Sequence, residues 1–359
     1  MAPTDLAPVA PGELTLEGGA QPVRLSILEL VPVARGVTPG EALHRSAALA
    51  TRAEELGYHR YWVAEHHSLP SIASSSPAVL LAHLATVTDT MRLGSGGVML
   101  PNHSPLVIAE QFGMLESLHP GRIDLGLGRA PGTDPMTAKA LRRTAQLSDG
   151  DDFPQQLAEL VAWLEGSFPD DHPYAKVKAV PHAPTRPDIW LLGSSGYSAQ
   201  LAGMLGLPFS FAHHFSGGGT EHALALYRET FRPSETLDEP YTMIGVNVVC
   251  ADTDEHARWL AAPQALSMLR MRTGRPGPAP TPQEAAEYQY TPAEKEFVRS
   301  LTATYVVGSP ATVRAELLEL AGRFGVQELM ITTNVADPDE RRRSFELVAQ
   351  VAAPAPAST

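Results

Sequence analysis

Arg60-Tyr61-Trp62-Val63-Ala64, followed directly by Glu65-His66-His67, is the stretch from which the fold is read. Residues 60–64 are largely apolar, hold two aromatic residues and contain no turn former, which suits a short buried strand. Three ionisable side chains then stand where that strand should end. In a sheet of parallel strands this end is where loops gather and ligands bind. Taken alone, the triplet leaves two readings open. It is either a catalytic cluster or a pair of imidazoles satisfied by nearby backbone, because a pKa of about 6.5 suits both roles.

The same alternation extends in both directions. Upstream, residues 25–33 form a strand candidate, and Thr38 with Glu41 has the spacing of a capping box. Ala42, Leu49, Ala53 and Leu56 then share one helical face, and Gly57 stops it. Downstream, strands are expected at 91–100, 122–128, 189–193, 209–215, 242–251 and 328–333. Helices are expected at 77–87, 105–118, 153–165, 197–205, 221–231, 254–272, 310–324 and 338–351. Short buried strands alternating with amphipathic helices imply parallel pairing through right-handed crossovers. Eight strands, each followed by a helix, make the tally of an α/β (β/α)8 TIM barrel; an open doubly wound sheet is the alternative.

One domain is expected over residues 24–353, between flexible tails at 1–23 and 354–359. Residues 132–152 and the proline-rich residues 274–302 are long for barrel connections. The second insertion is read as a lid on the C-terminal rim. A net charge of −13 argues against a nucleic-acid partner. The single cysteine, Cys250, excludes an intrachain disulfide and a cysteine-based metal cluster, and its apolar surroundings make it a core thiol. No metal site is expected. No apolar run reaches membrane-spanning length, and the first 23 residues lack a basic and apolar leader, so a cytoplasmic location is the default expectation.

Beyond the triplet, Gly193-Ser194-Ser195-Gly196-Tyr197-Ser198 lies where a strand passes into a helix. Free backbone N–H groups, the helix dipole and small residues suit a phosphate there, in preference to an ordinary serine N-cap. Gly94-Ser95-Gly96-Gly97 weakens its own strand, which signals either close approach of something flat or tight packing within the barrel. Arg129 follows Gly126-Leu127-Gly128 and can pair with a phosphate or a carboxylate. His213 and His214 bring two more imidazoles to the same rim.

Trp62–His67, Arg92–Pro101, Pro120–Arg129, Leu192–Ala199, Leu207–Phe215, Val306–Pro310 and Glu328–Asn334 together resemble the bacterial luciferase-like family of flavin-dependent monooxygenases, in its single-chain branch outside light production. The resemblance spans residues 25–351 and implies FMN at the C-terminal rim of a barrel. It places His66 beside the flavin, with Glu65 or His67 orienting it. Ser95, Gly96 and Gly97 would line the ring, with a non-prolyl cis peptide at Gly96-Gly97. Gly193, Ser194, Ser195, Gly196, Tyr197 and Ser198 would hold the phosphate together with Arg129.

The implied activity is monooxygenation: FMNH2 reacts with O2, and the peroxyflavin transfers one oxygen atom to a small organic substrate. A separate flavin reductase and a homodimer or higher homo-oligomer are implied as partners. Gly128 and Ser194 depart from the luciferase α-chain, which carries a cysteine and an acidic residue there, and both departures argue against luminescence. The rival expectations are hydride transfer with a deazaflavin (F420) and a non-catalytic flavin-binding barrel.

Overall fold

The computed structural model describes residues 13–14, 22–130, 132–142, 152–275 and 279–352. Within them lie β1 (Glu13–Leu14), β2 (Val23–Glu29), β3 (Arg60–Val63), β4 (Arg92–Met99), β5 (Ile123–Gly128), β6 (Asp188–Gly193), β7 (Phe209–Phe211), β8 (Thr242–Cys250), β9 (Val306–Gly308) and β10 (Glu328–Thr332). Eight strands pair in parallel around a ring, β2 through β8 in chain order and then β10, which returns to β2. Closure by the β10–β2 pair makes this a (β/α)8 barrel and removes the open-sheet alternative. Residues 60–63 form the second barrel strand, one residue shorter than the predicted 60–64.

Two strands lie outside the ring. β9 pairs parallel to the outer half of β8, and β1 pairs antiparallel to the start of β2. β1 falls within the stretch read as a flexible tail; most of that stretch, and residues 354–359, lie outside the described residues.

The strands are buried on both faces, as parallel strands covered by helices require. All residues of β3, β5 and β8 are buried. Alternation then sorts their side chains. Tyr61 and Val63 join the core beneath the helices, with Leu81 and Phe112. Trp62 and Ala64 point into the lumen beside Leu28, Trp190, Met243 and Met330. Trp62 meets Trp190 edge-on at 5.2 Å, an arrangement favoured by the ring quadrupoles. A Cβ on Gly94 would lie 2.6 Å from Trp62 Nε1, and one on Gly96 would lie 2.6 Å from Leu28 Cδ1. These two glycines make room for a packed lumen, so tight packing explains them and a flat ligand is not needed.

Beneath that layer sits a buried ion network. Arg60 Nη1 reaches Asp124 Oδ2 at 2.7 Å and its Nε reaches Glu328 Oε1 at 2.8 Å. Trp62 Nε1 and Arg92 Nε donate to Asp124 at 2.8 and 2.9 Å, and the Tyr241 hydroxyl donates to Glu328 at 2.9 Å. Burial alone would raise the Asp124 pKa, but Arg60 and Arg92 overcome it and hold the carboxyl below its ordinary range.

The insertion at 274–302 is more regular than its prolines suggest. Pro282–Glu287 and Pro292–Thr302 are helices, each with proline in its first turn and a complete capping box, Thr281 with Glu284 and Thr291 with Glu294. Ala285, Tyr288, Tyr290 and Phe297 pack onto Leu266 and Leu269 of the helix Asp254–Arg272. Arg35, in the loop after β2, reaches Glu284 at 3.4 Å, which sets the insertion against the C-terminal rim. In the other long connection Pro135–Arg142 is helical, and residues 143–151 lie outside the described residues.

Acid should weaken this fold through histidines buried uncharged. Burial pushes His59 and His214 down to about 4. In the unfolded chain both rings take up protons below about pH 6.5. The unfolded state therefore binds more protons over that interval, and stability present above pH 6.5 is lost as pH falls towards about 4. Urea midpoints measured at pH 7.5 and pH 5 should differ by an amount worth roughly 1–4 kcal/mol; equal midpoints would contradict the neutral burial of these rings.

Candidate active site

Because all eight barrel strands are parallel, the residues after each strand share one rim. Trp62 and Ala64 face the lumen, so the two-residue period carries His66 inward at the barrel mouth. Its backbone N–H donates to Ser74 O at 2.9 Å, which fixes the chain there. Its buried Nδ1 has no hydrogen-bond partner among the described residues. Burial lowers the His66 pKa, only partly opposed by Glu65, and the ring is neutral near pH 7.

His214 faces the same space. A Cβ added to Gly245 of β8 would lie 2.4 Å from its Nδ1, and its charge couples to that of His66. Asn247 Nδ2 donates to His214 O at 3.0 Å, and Asn334 Nδ2 to Asn247 Oδ1 at 3.0 Å. His214 Nδ1 and Thr332 Oγ1 are buried without partners among the described residues. Buried polar atoms ordinarily have partners, so three such atoms at one barrel mouth mark where a polar ligand would be met. Asn247 was legible as the lone amide in an apolar strand, and Thr332 was not.

His213 does not join them. β7 ends at Phe211, short of the predicted residue 215, and His213–Ser216 form a helical turn. That turn directs His213 Nδ1 to Thr220 Oγ1 at 2.7 Å and its ring against Phe324.

Glu65 is not the partner of His66. Its Oε1 accepts from His67 Nε2 and His103 Nε2, each at 2.8 Å, and its Oε2 from the Met99 N–H at 3.1 Å. The expectation that Glu65 or His67 orients His66 is corrected by this pairing, since alternation turns His66 to the lumen and Glu65 away from it. Burial would raise the Glu65 pKa, but the hydrogen bonds from His103 and His67 outweigh it and hold the carboxyl below the usual range. Sequence reasoning missed His103, whose one signal is its place just after the third barrel strand.

The glycine-rich stretch after β6 opens the ten-residue helix Gly196–Leu205. Ser195 occupies the N-cap position but its side chain makes no capping hydrogen bond, so the ordinary N-cap reading does not apply. Ser194 and Ser195 are exposed, and buried Ser198 packs so closely on Gly193 that a Cβ there would lie 2.8 Å from its own. The Arg129 guanidinium lies over the Tyr197 ring at 4.2 Å. No carboxylate pairs with Arg129 among the described residues. The helix start, Arg129 and Tyr197 therefore converge.

Gly96-Gly97 is a cis peptide, as the resemblance implied, and the register against β5 shifts there from Gly96↔Gly126 to Val98↔Leu127. Ser95 is buried and its hydroxyl donates to Gly126 O at 2.9 Å. That bond uses the hydroxyl's one donor to hold two strands together.

A cavity of about 410 Å³ lies elsewhere, lined by Glu29, Arg45, Ser46 and Arg341 among others, between the helices Pro39–Glu55 and Pro338–Ala352. Its buried carboxylate, Glu29, is already paired with Arg341 at 3.0 Å and with the Tyr61 hydroxyl at 2.9 Å. The barrel mouth, where buried polar atoms lack partners, is the better candidate for chemistry.

Residues 23–328 match the family described as luciferase-like monooxygenase. The chain is 45% identical over 329 residues to a luciferase-like monooxygenase of Escherichia coli, covering 92% of this chain and 97% of that one. It is 35% identical over 332 residues to the N-acetyl-S-alkylcysteine monooxygenase of Bacillus subtilis, covering 91% and 97%. The crystal structure of apo-MsnO8 superposes with a TM-score of 0.83 at 37% identity, over 92% of this chain and 97% of that one. In sequence and in barrel architecture alike, this chain belongs to the luciferase-like monooxygenase family.

Proposed function

We propose that this protein is an FMN-dependent monooxygenase that places one oxygen atom from O2 in a small organic substrate. One observation carries the reading: His66, a neutral imidazole whose buried Nδ1 has no partner among the described residues, shares a rim with an uncapped helix start and Arg129. These residues fit a flavin phosphate at one end and a reacting centre at the other. Bound there in its reduced form, FMN supplies the oxygen-activating chemistry that no side chain of this chain provides.

The protein's part is to bind, orient and exclude water. The first N–H groups of Gly196–Leu205 and the guanidinium of Arg129 hold the phosphate, and stacking on Tyr197 keeps that guanidinium in place. His66, neutral at working pH, takes or returns a proton at Nδ1. His214, Asn247 and Thr332 offer polar contacts to substrate at the mouth. The paired helices of residues 282–302 shield that mouth from solvent. Thioethers are the substrate class to try first, because the Bacillus subtilis relative is named for N-acetyl-S-alkylcysteine.

The test supplies photoreduced FMN anaerobically and then admits O2 with N-acetyl-S-alkylcysteines and other small organic substrates. Oxygen uptake coupled to an oxygenated product is expected, and NADH without a separate reductase should leave FMN oxidised. Arg129→Ala with Ser195→Ala should weaken FMN roughly 10- to 100-fold, as loss of charge-assisted hydrogen bonds predicts, yet hardly change riboflavin, which lacks the phosphate. Equal losses for the two flavins would refute the cradle. Reduction of a deazaflavin with no oxygen uptake would replace oxygenation by hydride transfer.

A further inference from the structure

We propose that Glu65, His67 and His103 form a binding site for a divalent transition-metal ion of zinc type, beside the flavin rim and independent of it. His67 Nε2 and His103 Nε2 both lie 2.8 Å from the same oxygen, Glu65 Oε1. One ligand atom from each residue falls within 4.8 Å of the other two. Two imidazoles and a carboxylate, with a fourth position open to water, are a donor set that zinc and its neighbours favour over magnesium or calcium.

The geometry is close to what such an ion needs. Metal–ligand distances of about 2.0–2.1 Å in a tetrahedron set the ligand atoms about 3.3 Å apart. Each N···O pair would therefore open by roughly 0.5 Å, a movement that side-chain torsions absorb. Glu65 is 1% exposed, whereas His67 and His103 are only half-buried, so an ion reaches the site from solvent. The outer shell is already in place, because the Met99 N–H holds Oε2 and leaves Oε1 to the ion. Thr133 Oγ1 donates to His67 O at 3.3 Å and the His103 N–H donates to Leu100 O at 3.0 Å, which fixes the two ligand loops. For binding, each ring must present a bare Nε2, with its hydrogen carried on Nδ1. An ion here would tie the loop after β3, next to His66, to the loop after β4.

Tag-free protein, freed of metal with a chelator and then dialysed, is titrated with Co²⁺. One Co²⁺ per chain with the visible absorption of tetrahedral coordination is expected, and Zn²⁺ should abolish the band. His103→Ala and, separately, His67→Ala should each weaken Co²⁺ at least tenfold. His103→Gln keeps a hydrogen-bond donor for Glu65 but is a poor ligand; it should retain the circular dichroism of the parent and still lose Co²⁺. Absence of a tetrahedral band, or unchanged affinity in His103→Gln, would overturn the site and leave a hydrogen-bonded clamp in its place.

Discussion

His66→Ala should lower kcat/KM for oxygenation by roughly 100- to 10,000-fold, the range that general acid–base groups ordinarily supply. Its ring stands at the lumen mouth with Nδ1 unpartnered among the described residues and its pKa lowered by burial. FMN affinity should change little, because the proposed phosphate cradle uses Arg129 and the helix start at Gly196, on other strands of the rim. Parallel measurement of kcat/KM and of the FMN dissociation constant separates the two roles. Undiminished turnover, or a loss matched by weaker FMN binding, would remove His66 from the chemistry. Protonation of the ring should also silence it, and its lowered pKa should carry activity below the pH at which an exposed histidine would lose it.

The second large effect is on the fold. Arg60→Met should cost about 3–5 kcal/mol, the usual penalty for leaving a buried charge without its partner. Asp124 keeps Arg92, while Glu328 keeps the hydroxyls of Tyr241 and Ser26. Replacing Glu328 by Gln in the same chain should recover part of the loss, since the stranded charge then disappears. The exposed pair Arg299 with Glu296 is the control, and Arg299→Met should cost no more than about 1 kcal/mol. Urea unfolding of the parent and the three variants decides it: equal midpoints for Arg60→Met and Arg299→Met would show that the network under the barrel contributes nothing.

Much of the architecture was legible because it rests on local chemistry. Apolar strands of four to nine residues, proline in the first turn of helices, and Thr38 with Glu41 each specify an element without reference to distant residues. Parallel strands put the ends of β3, β5 and β6 on one rim, which is why Glu65–His67, Arg129 and Gly193–Ser198 could be grouped. The helices of residues 282–302 were also within reach, since Thr281-Pro282 with Glu284 and Thr291-Pro292 with Glu294 are local cap patterns. There the density of prolines outweighed the caps.

What the linear order could not contain was partner choice. Arg60 meets Glu328 across 268 positions and Glu65 meets His103 across 38. A buried charge announces that it needs a counter-charge, but closure of the β10–β2 pair and the register of each strand decide which one arrives. Alternation divides neighbours in the same way: Glu65 turns to His67 and His103 while His66 turns to the lumen. From sequence alone came a barrel, its C-terminal rim and the residue types gathered there. Only the tertiary structure assigned each of them a partner, or left it without one, because hydrogen bonds and ion pairs act over a few ångströms of space whatever the distance along the chain.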